Sequence, residues 1–208
     1  MAFKYSCFVS YCHGQHGLVT GFIDQLVSAL KAELEAFLDE EVYIDSERLK
    51  PGYKYNEKLA EAICQSVCML VVYSPRYERH EYCIREYEAM AQIEQKRTAL
   101  LGASDGRGFI IPIILRGADD IPDRIKKHVH YNDRFAKFTL AATDLIRNPE
   151  FIGEIQKIAA VIYEHYRDFE HATVDPCSGC STFVLPAPTD LKPWRDKPAQ
   201  WPPAFVNR

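Results

Sequence analysis

The apolar positions along this chain change period several times, and each change marks an element. FKYSCFVSY at 3–11 is short, rich in aromatic and β-branched side chains, and reads as a buried strand. From Leu18 to Leu38 the residues Phe22, Ile23, Leu26, Val27, Leu30, Leu34 and Phe37 recur at helical spacing. EEVYID at 40–45 predicts a second strand. The following SERLKPGYK carries Pro51-Gly52, a pair suited to the central positions of a type II turn. Residues 56–65 predict a helix with Leu59 and Ile63 on one face. SVCMLVVYS at 66–74 is a near-continuous apolar run, as expected at the centre of a parallel sheet covered on both faces. Ser74-Pro75 ends it, and HEYCIREYEAMAQIEQ at 80–95 returns to the helical period. GRGFIIPIILR at 106–116 predicts a fourth strand, with Pro112 marking an edge-like or bulged position. Residues 117–148 are less regular, with a short helix near Asp123–Lys127 and a short strand near His128–Tyr131. Asn148-Pro149-Glu150 opens the last helix with an N-cap and then proline, turning Ile152, Ile155, Ile158, Ile162 and Tyr166 inward.

Strand and helix thus alternate about five times, which predicts an open, doubly wound α/β sheet of about five mostly parallel strands with helices on both faces. Right-handed crossovers place ligands beyond the carboxyl ends of such strands, near a switch in strand order. The loops Cys12–Gly17, Ser46–Tyr55 and Pro75–Glu81 begin there. None is a Gly-rich phosphate loop, which disfavours a Rossmann dehydrogenase and a P-loop nucleotidase. From Val174 the composition shifts: seven of the twelve prolines lie in residues 174–208, with no period. The expected organisation is one domain over 3–171 and a Pro-rich extension over 172–208. Trp194 and Trp201 favour an extension docked on the domain.

Composition narrows the function classes. The chain has 208 residues, is 47% hydrophobic and carries a net charge of −4, which leaves no basic footprint for nucleic acid or an anionic membrane. No apolar run approaches the roughly 20 residues that span a bilayer, and the N-terminus lacks the apolar core of a signal peptide. Of seven cysteines, Cys7, Cys12, Cys64, Cys68 and Cys83 fall inside periodic segments. There they read as free, buried small hydrophobes, which suits a reducing, cytoplasmic location. Cys177 and Cys180 form a lone C-x-x-C with His171 nearby, too few ligands for a tetrahedral metal site. No metal and no bound cofactor are expected.

One residue breaks the pattern. On a helix of about 100° per residue, Tyr82, Cys83, Met90 and Ile93 project within roughly 60° of Glu86. Glu81 and Glu88 fall outside that apolar stripe. A carboxylate on a core-facing stripe loses hydration, which costs free energy and raises its pKa unless something compensates. Glu86 therefore belongs either to the rim of a pocket or to an ion pair with Arg76, Arg79 or Arg85.

Three segments then stand together: CFVSY at 7–11, D-S-E-R-L-K-P-G at 45–52, and S-P-R-Y…Y-C-I-R-E at 74–86. Their order and spacing resemble the TIR (Toll/interleukin-1 receptor) domain family over roughly residues 3–170. The first is similar to the family's opening box, the second to its BB loop, and the third to its serine-ended strand followed by a W-C-x-x-E helix start. Tyr82 stands where tryptophan is common. The resemblance implies a flavodoxin-like fold and divides the functional options. Enzymatic members cleave the nicotinamide–ribose bond of NAD⁺ with a glutamate at the position of Glu86. NAD⁺ is then a substrate, with ADP-ribose, cyclic ADP-ribose variants or conjugates as products. By the same resemblance, Tyr11, His13, Asp45, Arg48, Leu49 and Tyr82 line the nucleotide site or its BB-loop wall. Each also has a plain alternative, as sheet-end packing, a solvated loop residue or a turn cap. The leading expectation is a stand-alone prokaryotic NAD⁺-cleaving enzyme in antiphage defence signalling or NAD⁺ depletion. It would self-associate through TIR–TIR contacts, with a separate sensor or effector protein as a further partner. A non-catalytic TIR adaptor or decoy is the second expectation. A nucleoside-processing enzyme related to the 2-deoxyribosyltransferases is the third, and the BB-loop match argues against it.

Overall fold

A four-stranded parallel sheet of order β2-β1-β3-β4 organises the chain, built from β1 (Tyr5–Tyr11), β2 (Glu41–Ile44), β3 (Ser66–Tyr73) and β4 (Ile110–Ile114). This is a computed structural model, and it describes residues 3–14, 17–44, 55–102, 108–128, 133–170 and 172–195. Every residue of β1 and β3 is buried, including Ser6 and Ser10 of β1, as expected for strands paired on both sides. Pro112 lies in β4, an edge of the sheet, where the missing N–H costs no ladder bond. The strand expected near His128–Tyr131 falls largely on 129–132, outside the described residues.

Helices cover both faces. Helix α1 (Gly17–Leu34) packs against the last long helix, and Phe22 of α1 meets Phe151 edge-on at 6.0 Å. Helix α2 (Tyr55–Cys64) packs against α3 (Glu81–Leu101), which ends at Gly102 in the left-handed conformation that only glycine adopts freely. A single turn, α4 (Asp123–Lys126), follows β4. Helix α5 (Pro149–Asp168) starts as its sequence predicts: the Asn148 side chain accepts from the N–H groups of Glu150 and Phe151. Such a cap contributes about 1 kcal/mol. Ile155, Ile158 and Ile162 are buried, whereas Ile152 and Tyr166 lie at the margin of the core. The Tyr166 hydroxyl donates to Glu40 there, at 2.8 Å.

After α5 the described part of the Pro-rich extension, 172–195, runs as a strap along α3. Phe183 lies under the Lys96 ammonium, Arg85 Nε donates to the Pro186 carbonyl at 2.8 Å, and Trp194 packs edge-on against Tyr87 at 4.6 Å. Arg195 closes the far end, donating to Glu78 at 2.9 Å and to the Asp120 carboxylate at 2.6 Å. Trp194 is buried, and Trp201 lies outside the described residues. The strap also buries Arg85 and Tyr87, positions of α3 away from its sheet-facing stripe, so this helix is enclosed on more than one side.

One expectation is overturned. Cys64 is not a free thiol: it is bonded to Cys180, 116 residues later, joining the end of α2 to the strap. Cys180 is therefore unavailable as a metal ligand. The reason for the miss is that periodicity places Cys64 correctly on the buried side of its helix but carries no information about what covers that side. Free thiols at all five periodic positions were one ground for a reducing compartment, and that ground is lost. Among the described residues no helix is long and apolar enough to cross a membrane.

Candidate active site

Strand order reverses at β1, since β2 lies on one side of it and β3 on the other. The crevice beyond the carboxyl ends of β1 and β3 is the switch point where open α/β sheets hold ligands. Helix α3 begins beside that crevice and brings Glu86 into it from the second helical turn.

Glu86 is buried, 6% exposed, and its compensation is a hydrogen-bond chain. Ser10 Oγ donates to Glu86 Oε2 at 2.5 Å, and the Tyr77 hydroxyl lies 2.6 Å from Ser10 Oγ. With the serine proton on Glu86, Tyr77 supplies the next donor, giving the order Tyr77, Ser10, Glu86. Burial, reinforced by the nearby Cys83 and Glu86, pushes the Tyr77 phenol well above its usual range, so Tyr77 stays neutral and keeps its proton to donate. The three residues come from β1, the loop after β3 and α3, and two of them are 76 positions apart. Arg85 is engaged elsewhere: it bonds Pro186, faces Glu81 at 3.9 Å and stacks over the Tyr82 ring at 5.2 Å.

The pocket that Glu86 floors is walled by aromatic side chains. Tyr11 and His13 form one side, their rings 4.4 Å apart, and Tyr82 with Tyr55, edge-on at 5.4 Å, forms another. His80, Cys83 and Val9 complete it. Four residues expected at the site, Glu86, Tyr11, His13 and Tyr82, are thus brought together; Asp45, Arg48 and Leu49 lie outside the described residues. The cavity holds about 50 Å³, well below the roughly 300–1,000 Å³ of pockets that enclose a whole ligand.

Four residues of this neighbourhood escaped sequence reasoning. Ser10 was visible only as part of the Ser-Tyr ending of β1, and Tyr77 only as the last residue of S-P-R-Y. Tyr55 opens α2, where an aromatic carries no signal of its own. The fourth is Cys12. Its thiol is drawn below the ordinary range, first by its pairing with the Cys83 thiol and also by the Arg76 charge, against the opposing effect of burial. Cys83 shifts the other way, pushed up by its bond to Cys12, by burial and by the Glu86 charge. Cys83 Sγ also contacts the Tyr11 carbonyl and His80 Nδ1, both at 3.5 Å. Replacing Cys83 by alanine removes its thiol partner, so the Cys12 thiolate should form at a higher pH. Thiolate absorbance followed against pH in wild type and variant checks this; an unmoved Cys12 titration would assign the shift to Arg76 alone.

A buried carboxylate fixed by a neutral donor chain, beside an aromatic wall, can stabilise positive charge and orient hydroxyl groups. Among the described residues there is no cluster of three or more His, Cys, Asp or Glu side chains arranged to hold a metal.

Comparison with known proteins bears on the same region. A family profile described as TIR domain matches residues 7–146, which include most of β1, the crevice and Glu86 but not α5 or the strap. The TIR domain of the Toll-related receptor TRR-2 from Hydra magnipapillata is 18% identical, with TM-score 0.46, over 75% of this chain and 98% of its own. The TIR domains of the activated Roq1 resistosome, which directly recognises the pathogen effector XopQ, are 21% identical, with TM-score 0.42, over 86% of this chain and 95% of theirs. No curated protein matches the sequence. The profile match spans most of the chain and contains all three boxes of the sequence resemblance: the chain belongs to the TIR domain family.

Proposed function

We propose that this TIR domain cleaves the nicotinamide–ribose bond of NAD⁺, with Glu86 as the catalytic residue. The observation that carries the reading is the buried Glu86 carboxylate, held by Ser10 at the switch point of the sheet. Nicotinamide is already a cationic leaving group, so its departure needs no metal and leaves an oxocarbenium-like ribosyl centre. A fixed carboxylate in a site shielded from water stabilises that developing charge more than bulk solvent does. Tyr82 and Tyr11 offer flat apolar surface for the rings of the dinucleotide, and His13 a polar edge. Water, a ribose hydroxyl of the same molecule or another nucleophile then completes the reaction. A role in defence signalling or NAD⁺ depletion belongs to this proposal.

Ser10 acts through Glu86 as a positioning residue. A hydrogen bond to a charged group contributes about 1.5–3 kcal/mol, so Ser10→Ala should lower kcat roughly 10-fold or more with KM little changed. Ser10→Thr keeps the hydroxyl and should recover part of the loss. A Ser10→Ala enzyme with unchanged kcat would remove Ser10 from the mechanism.

The small cavity favours a site completed by another protomer. Nicotinamide release from NAD⁺, measured per protomer over a range of protein concentrations, tests both points. Activity rising with self-association is the expected result; activity independent of concentration would show that one protomer suffices. No release at any concentration that drives assembly would favour the second reading, a non-catalytic TIR module acting through TIR–TIR contacts.

A further inference from the structure

Three cysteines lie at the junction of α2 and the strap, and none of them lines the Glu86 pocket. Cys64 and Cys180 are bonded, and Cys177 lies one turn before Cys180, whose N–H donates to the Cys177 carbonyl at 3.1 Å. Cys177 Sγ in turn lies 3.8 Å from the carbonyl of Cys64, the residue bonded to Cys180. That same carbonyl accepts from Arg97 Nη2 at 2.8 Å, which sets a buried guanidinium beside Cys64 and Cys177. Gly179 sits between Cys177 and Cys180 at φ 85°, a left-handed conformation that closes the turn and that other residues rarely adopt. The cluster is not sealed: Cys64, Lys96, Arg97 and Gly179 line a groove of about 310 Å³ at the surface.

We propose that Cys64, Cys177 and Cys180 form a thiol–disulfide exchange site. The Cys177 thiolate attacks Cys180 Sγ; the Cys177–Cys180 bond forms as the Cys64–Cys180 bond breaks, and Cys64 leaves as a thiolate that takes up a proton from solvent. One disulfide and one thiol enter and one of each emerges, so the step needs no oxidant or reductant. Its consequence is mechanical. The single disulfide of the fold ties the strap to α2; after exchange the disulfide lies wholly within the strap. The hold of the strap on α3 then rests on the Arg85–Pro186, Lys96–Phe183 and Tyr87–Trp194 contacts. The site stands on its own geometry and is independent of any chemistry at Glu86.

Burial pushes the Cys177 thiol up to about 11, partly offset by the Arg97 charge, and only its thiolate attacks. Exchange should therefore quicken about tenfold per pH unit through the neutral and mildly alkaline range. The test uses the full chain purified without reductant, incubated at several pH values, quenched in acid, alkylated and mapped by peptide mass spectrometry. The expected result is a species with alkylated Cys64 and a Cys177–Cys180 bond, forming faster at higher pH and absent from Cys177→Ser. The exchanged species should also melt several degrees lower, since a long closed loop has been opened. Three outcomes would each overturn the proposal: Cys64–Cys180 alone at every pH, Cys64 released equally fast in Cys177→Ser, or a chain whose three cysteines are all thiols as purified.

Discussion

Glu86→Gln is expected to lower nicotinamide release from NAD⁺ by about 10²–10³-fold, the usual cost of deleting a group aimed at charge in the transition state. Glutamine keeps the size of the side chain and an oxygen that can accept from Ser10 Oγ, so the Tyr77–Ser10 chain has a partner and the fold is retained. What disappears is a negative charge on a residue only 6% exposed, where low effective dielectric makes that charge count more than in water. Stability should stay level or rise slightly, because a charge no longer has to be buried. The measurement is kcat for nicotinamide release together with the thermal midpoint of both proteins. Wild-type turnover in a correctly folded Glu86→Gln variant would end the catalytic assignment of Glu86. Lost turnover with a lowered midpoint would instead point to a folding defect, and Glu86→Asp, which keeps the charge but shortens its reach, separates charge from position.

The largest effect on stability is expected from Arg97→Met, about 3 kcal/mol or more, since up to three buried carbonyls lose a charged donor. Arg97 is 1% exposed. Its Nη1 donates to the carbonyls of Ser66 at 2.7 Å and Val67 at 2.8 Å, and its Nη2 to Cys64 at 2.8 Å. Those carbonyls belong to the end of α2 and the first residues of β3, where the chain turns from helix into the central sheet. The guanidinium plane also lies 4.8 Å from the Phe3 ring centroid and within about 6 Å of Phe109 and Phe169. Burial draws its pKa down to about 10, which still leaves it charged at neutral pH. Methionine fills a similar volume but leaves three carbonyls facing an apolar side chain, each at the cost of an unmade hydrogen bond. Lysine should recover only part of the loss, since one ammonium cannot reproduce the fork. Chemical denaturation of the three proteins checks this; a loss under about 1 kcal/mol for Arg97→Met would mean that water or a shifted backbone satisfies those carbonyls.

Arg97 and Glu86 show two ways in which a charged residue on a buried helix face reads from sequence. Glu86 was conspicuous because its neighbours at helical spacing, Cys83, Met90 and Ile93, are apolar and do face the core. Arg97 lies one turn beyond Ile93 on the same side, yet an arginine near a helix end is common enough to pass as solvated. Its partners are backbone carbonyls, and those leave no trace in residue types. The strap offers the same contrast. Composition separates 174–208 from the domain, and tryptophan content predicts docking. Neither says that Pro186 engages Arg85 or that Cys180 finds Cys64.

Sequence alone therefore determined the order of strands and helices, the burial of β1 and β3, the cap at Asn148, the three family boxes and the anomaly at Glu86. All of these rest on periods and neighbours within one or two turns of chain, where a residue type acts directly on its own backbone or on its own helix face. Tertiary structure alone decided the Tyr77–Ser10–Glu86 chain, the cluster of Cys64, Cys177 and Cys180, and the seat of Arg97. Each joins side chains from separate elements, up to 116 residues apart. Such partners are selected by how helices pack on the sheet, and local pattern does not encode that packing.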